Sequence, residues 1–233
     1  MKDKALNRAT RYLIFRDREV IINTVLFLVI AFAYIFALNK FLFKARGEDF
    51  IILMSYALIL GFGIIGSNTI IINMSVKDKL TGRLEFLMGT GLDAREIIKA
   101  YSIENWRISS LASFVIFFGV YVICELEKSF FALYLSCIIL HYFLILTLNI
   151  LAMSRKNFKF FKNILFFTTS LVIYLLGNFS GRILAFLGSI NLDLNVFLII
   201  FNVIFGFGLG FYCLWQVRKM DNEKVMEVSS VWS

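Results

Sequence analysis

The chain has 233 residues, of which 60% are hydrophobic and 17% charged, whereas soluble domains run about 45–50% apolar and about 25% charged. That composition excludes an ordinary soluble globular domain and assigns the chain to the membrane. The net charge of +8 does not point to nucleic acid, because the basic residues flank apolar runs and form no aromatic-interleaved basic module; their counterpart is the anionic surface of the lipid.

No Pro-, Ser- or Gly-rich linker interrupts the sequence, and no polar run is long enough to fold separately, so residues 1–233 read as one membrane domain. Cys124, Cys137 and Cys213 are odd in number and embedded in apolar runs. They read as packing residues and form neither a disulfide framework nor a metal site.

Residues 1–19 form a basic, amphipathic start. Leu6, Ala9 and Leu13 share a helical face, with Arg8, Arg11 and Arg16 free for lipid phosphates, as in a helix lying in the interface; the alternative is a basic flank that only sets topology. Crossing about 30 Å of hydrocarbon takes roughly 20 helical residues. Runs of about that length occur near Val20 to Phe43, Phe50 to Met74, Ile108 to Cys124, Phe130 to Met153, Asn163 to Leu187 and Leu194 to Val217. Six spans are therefore expected. The fifth carries Gly177, Asn178, Ser180, Gly181 and Arg182 in its second half, so it either crosses or stops near Leu176 with a short re-entrant helix at Ile183 to Ile190. The first apolar run is too long for the core of a cleaved leader and lacks a small-x-small cleavage site. Of the 24 lysines and arginines, 19 fall on the side holding both termini and 5 on the other. The positive-inside rule then puts the termini, and the tail from residue 218 onward, in the cytoplasm.

Inside the spans, His141 is the one ionisable group expected deep in the bilayer, where unpartnered charge costs several kcal/mol. A histidine hydrogen-bonded to a neighbouring helix is the plainer reading; a place on a substrate path, with Asn68 and Asn73, is the functional one. Acidic groups at Glu48, Asp49, Glu125, Glu127 and Asp193 all fall at rims or in loops, so an ion-driven carrier is not indicated. Ser67 with His141 would make a nucleophile and base pair for an intramembrane enzyme, but no further catalytic constellation accompanies them. Gly206 and Gly210 form GxxxG with Asn202 one turn earlier, a face for helix packing or dimer contact, and Gly61, Gly63 and Gly66 act similarly in the second span.

Between spans two and three, residues 76–106 break the apolar pattern; Lys77 to Tyr101 alone carries nine charged residues. Leu80, Leu84, Leu87 and Met88 recur at helical spacing, and Gly89, Thr90 and Gly91 end that helix. Asp93 then reads as an N-cap with Glu96 three residues on, and Leu92 with Ile97 as a hydrophobic staple. Ala94, Ile97, Ile98 and Tyr101 share the next helix's apolar face, and after Trp106 the chain enters the third span.

At these residues the sequence resembles the permease subunits of ABC type 2 exporters. Their cytoplasmic segment carries a pattern like E-x-G-T-L-E-x-L-L-x-T-P-L-x-x-x-E-I, which T81-G82-R83-L84-E85-F86-L87-M88-G89-T90-G91-L92-D93-A94-R95-E96-I97 matches without gaps at Gly82, Leu84, Glu85, Leu87, Thr90, Leu92, Glu96 and Ile97. Arg83 replaces a threonine and Gly91 a proline. The resemblance implies an all-α membrane protein of six spans with an N-terminal interfacial helix, a coupling helix between spans two and three, and a re-entrant element after the fifth. It implies a multi-pass protein of the cell membrane, of bacterial type, with no cofactor of its own. The chain has no GxxxxGK[ST] loop, so ATP and Mg would be handled by a partner ATPase docked on Gly82, Leu84, Glu85, Leu87, Thr90, Gly91, Leu92, Asp93 and Glu96. A second permease half, identical or similar, would complete the pathway. Cargo of the family includes amphipathic compounds, antimicrobial peptides and lipid-linked material; a cavity of Phe, Asn and Thr side chains would suit it. The competing class is a membrane scaffold or immunity subunit that moves no cargo.

Overall fold

The computed structural model describes residues 2–37, 48–154, 167, 181–182, 184–189 and 192–229. Nine α-helices of named extent occur among them: α1 (Lys2–Arg16), α2 (Arg18–Ala37), α3 (Glu48–Ile71), α4 (Lys77–Leu80), α5 (Arg83–Gly89), α6 (Ala94–Ile123), α7 (Lys128–Ser154), α8 (Leu194–Arg218) and α9 (Asn222–Ser229), and no strand appears among the described residues. Among the described residues, five stretches are long and apolar enough to cross a membrane: Arg18–Ala37, Glu48–Leu80, Ala94–Ile123, Lys128–Ser154 and Leu194–Arg218. The expected span Asn163 to Leu187 and the re-entrant stretch Ile183 to Ile190 lie largely outside the described residues.

α3 forms the axis of the bundle. Ile51, Leu53, Tyr56, Ile59 and Ile64 are all buried, and α2, α6, α7 and α8 pack around it. The outer helices present apolar side chains outward, including Ile22, Val25 and Phe36 on α2 and Ile204, Phe207 and Phe211 on α8, each more than half exposed. In water such faces would drive association, whereas in a bilayer they meet lipid tails. Polar pairs then set the register inside. Asn105 Nδ2 donates to the Ser67 carbonyl (3.1 Å) and Ser113 Oγ to the Ile59 carbonyl (2.6 Å), so α3 and α6 run antiparallel. Asn195 donates to Ser129 Oγ (3.0 Å) and Asn202 to Ser136 Oγ (2.8 Å), while Thr147 Oγ1 lies 3.2 Å from Cys213 Sγ. This constant offset makes α7 and α8 parallel, so α7 ends and α8 begins at opposite ends of the bundle.

Two helices outrun the hydrocarbon. The continuous stretch Glu48–Leu80 has 33 residues and α6 has 30, or about 50 and 45 Å at 1.5 Å per residue, against about 30 Å of hydrocarbon. Glu48 and Asp49 open the stretch, so an untilted helix entering an apolar layer there would leave it near residue 70. There the helix widens into a five-residue π-turn at Ile72–Val76, a distortion that is frequent at functional sites.

α1 is helical as expected, but its buried face is turned by one residue. Thr10 and Ile14 are buried against α6, while Ala9 is exposed. Arg11 is taken up by the protein, as described next, leaving the exposed Tyr12 and Phe15 to face outward.

Candidate coupling site at the projecting ends of α3 and α6

Two left-handed glycines shape the tip. Gly82 (φ +69°) separates α4 from α5, and Gly91 (φ +85°) separates α5 from α6, conformations in which a Cβ would be strained. Leu84 and Met88 bury themselves in a cluster with Ile97, Ile98 and Tyr101, against which Leu87 and Leu92 pack. Leu80, expected on the same stripe, is instead 52% exposed, because Gly82 redirects the chain between it and Leu84. Thr90 Oγ1 donates to the Leu87 carbonyl (2.7 Å). Asp93 and Glu96 form the expected capping box: Asp93 Oδ1 accepts from the Arg95 amide (2.9 Å), and the Asp93 amide donates to Glu96 Oε2 (3.2 Å). From Ala94 the helix runs without a break through Trp106 into the membrane. The outward surface of α5 and its turn consists of Glu85, Phe86, Gly89, Thr90 and Gly91. Phe86 is 71% exposed.

Three polar attachments fix this tip to the rest of the chain, and none was legible as a site in the sequence. First, Glu104 on α6 is wholly buried and held by Arg11 of α1 (2.8 and 3.1 Å) and by Arg107 (2.7 Å). Second, Lys79 is buried, with Nζ donating to the carbonyls of Ala152 (3.1 Å) and Met153 (3.4 Å) at the C-terminus of α7. Those carbonyls lie in the last turn of α7, at the negative end of its dipole. Burial pushes the Lys79 ammonium down to about 7, while its carbonyl acceptors favour the charged form. Beside it, Asp78 accepts from the Tyr101 hydroxyl (2.5 Å) and pairs with Arg83 (3.5 Å). Burial raises the Asp78 carboxyl above its usual range, and the Tyr101 hydrogen bond and Arg83 offset part of the rise. Third, the C-terminal segment folds back onto the turn: Asn222 accepts from the Ala94 amide (2.8 Å) and donates to the Leu92 carbonyl (3.1 Å), and Arg95 donates to the Met220 carbonyl (2.9 and 3.0 Å). Met220 and Val225 are buried in the same cluster as Leu84 and Met88.

The residues expected within the membrane distribute differently. Gly206 and Gly210 are buried, and the nearest atom to a Cβ built on either belongs to Phe143 of α7 (3.9 and 3.2 Å). Their close approach is thus made within the chain. Asn202 is buried, accepts from Tyr56 Oη (2.7 Å) and donates to Ser136, joining α3, α7 and α8. His141 is buried with its ring against Gly63 of α3, and Nε2 has no hydrogen-bond partner among the described residues. Asn73 donates to Glu19 Oε2 (3.0 Å) where α2 meets the π-turn, so it and His141 belong to different helix interfaces. Asn68 is half-buried on α3. The Ser67 hydroxyl donates to the Ile64 carbonyl of its own helix (2.8 Å) and is not paired with His141.

No family model matches the chain, and no curated protein or solved structure matches it either.

Proposed function

We propose that the chain is the permease half of an ATP-driven exporter and that the α5 tip is its coupling element. The single observation that carries this reading is the coincidence of the quoted motif with the short helical tip between α3 and α6, on which Glu85 and the 71% exposed Phe86 lie at the surface. An aromatic ring held in water beside a carboxylate suits a protein partner, since interface anchors are typically aromatic groups within a polar rim. A push on α5 is transmitted to α6 through the Asp93 cap, to α7 through Lys79, and to α1 through Glu104. The reading includes six spans with both termini cytoplasmic, supported by the 19 to 5 split of basic residues and by the opposite ends at which α7 stops and α8 starts. It also includes a second permease half and an amphipathic cargo.

A photocrosslinking residue in place of Phe86, activated in native membranes, tests it. The expected adduct is an ATPase subunit carrying a GxxxxGK[ST] loop. Glu85→Ala should still insert, yet weaken recovery of that ATPase, because losing one partner of a buried interfacial charge pair costs about 2–5 kcal/mol. A well-inserted protein that forms no such adduct refutes the assignment.

A further inference from the structure

A pocket of about 370 Å³ lies where the α1–α2 corner meets the exit of α3. Three cations line it: Arg16 at the end of α1, Lys77 at the start of α4, and Arg83. Two carboxylates line it as well, and both are engaged by the protein. Asp17 Oδ1 accepts from the amides of Glu19 (3.0 Å) and Val20 (3.4 Å) at the start of α2, and Asp78 is held by Tyr101 and Arg83. Among the described residues, neither Arg16 nor Lys77 forms an ion pair within 4 Å. Lys77 also acts electrostatically on the Asp78 carboxylate, so the pocket sets three cations against two carboxylates, with a polar floor at Asn73 and Thr81. Its level in the bilayer decides the ligand class. It follows the apolar turns of α3, a position that suits the phosphate level of a bilayer, and Leu13 and Met74 give it apolar walls.

We propose that this pocket binds the phosphodiester headgroup of one anionic phospholipid, with Arg16 and Lys77 on the phosphate and the acyl chains lying along α2. Guanidinium and ammonium groups hold phosphate oxygens by charge-assisted hydrogen bonds, and basic pockets between spans take anionic headgroups for this reason. Asn73, which spans from the π-turn to Glu19 (3.0 Å), borders the pocket, so an occupied site would brace the corner between α2 and α3. The inference does not rest on the exporter reading and would hold for any membrane role of the chain.

The test uses the full-length protein in detergent, titrated with short-chain phosphatidylglycerol, short-chain phosphatidylcholine or inorganic phosphate, and reads the thermal unfolding midpoint. Phosphatidylglycerol should act at lower concentration than phosphatidylcholine, and phosphate should have no effect. Each cation at the headgroup should contribute roughly a fivefold preference for anionic lipid, so Arg16→Gln with Lys77→Gln should reduce the preference roughly 25-fold, while Lys99→Gln, an equal charge loss at an exposed position of α6 outside the pocket, should leave it intact. If the double variant does not fold, Lys77→Gln alone, at an exposed position, should still lose roughly fivefold. Equal action of the two lipids, a shift produced by phosphate alone, a preference surviving in the folded variants, or an equal loss in Lys99→Gln would each overturn the assignment.

Discussion

The contact between Gly63 and His141 offers a sharp test of what the intramembrane histidine does. A Cβ built on Gly63 would stand 2.8 Å from His141 Cε1, 2.9 Å from Nε2 and 3.0 Å from Nδ1. Carbon atoms pack comfortably at about 3.5–4.0 Å, so Gly63→Ala forces the ring or α7 to move by roughly 0.7 Å. The ring cannot yield as the end of a flexible chain would, because it is 2% exposed between α3 and α7. Overpacking of this kind costs about 1–3 kcal/mol. His141→Ala creates a cavity of its own, costing about 2–4 kcal/mol by analogy with other large-to-small core changes. In the double variant the new methyl group occupies part of that cavity, so the two costs should not add, and a coupling of about 1–3 kcal/mol is expected. Reversible unfolding of the four proteins in mixed micelles measures the cycle. Strict additivity would refute the packing account and would point to a role for His141 that does not depend on Gly63.

Other expectations follow from the tip. Asp93→Ala should destabilise by about 0.5–2 kcal/mol through loss of the N-cap, whereas Asp93→Asn should lose only the charge at the helix N-terminus, about 0.3–1 kcal/mol; chemical denaturation that ranks Asn with Ala would contradict the capping role. Asn222→Ala removes hydrogen bonds to both Leu92 and Ala94 and should release the C-terminal helix, read as faster amide exchange across α9 and the Leu92 to Arg95 turn; unchanged protection there would show that Met220 and Val225 hold the segment unaided. Tyr101→Phe should cost about 1–3 kcal/mol at neutral pH by leaving the buried Asp78 carboxylate short of a donor. Because the folded-state pKa of Asp78 is raised, its protonated form favours the fold: that contribution is complete below the unfolded value and is lost as pH rises through the folded one. Removing the Tyr101 hydroxyl raises the folded value further, so the penalty should shrink as pH falls, and a penalty independent of pH would argue against a charged Asp78.

Much of the architecture could be read locally. Twenty-residue apolar runs fix membrane helices because backbone groups in lipid must be satisfied within the segment. The Asp93 and Glu96 pair marked the start of α6 because a capping box needs nothing beyond four consecutive residues. The turn at Gly91 was legible because few other residues accept its positive φ, whereas the turn at Gly82 was not, and in sequence Leu80 falls on one stripe with Leu84. The faces of the helices were less legible. Lipid and protein interiors are equally apolar, so sequence could not say that Gly206 and Gly210 meet Phe143, or that α1 turns Thr10 and Ile14 inward in place of Ala9. The attachments of the tip were hidden altogether. Arg11 and Glu104 are 93 residues apart, Lys79 and Ala152 are 73, and Ala94 and Asn222 are 128. In sequence, Lys79, Glu104 and Asn222 are ordinary polar residues near water, with no spacing that marks a partner. Only the tertiary fold decided that the lysine closes the end of α7, that the glutamate is buried between two arginines, and that the asparagine clamps the turn, because each needs a backbone or charge supplied by a distant helix.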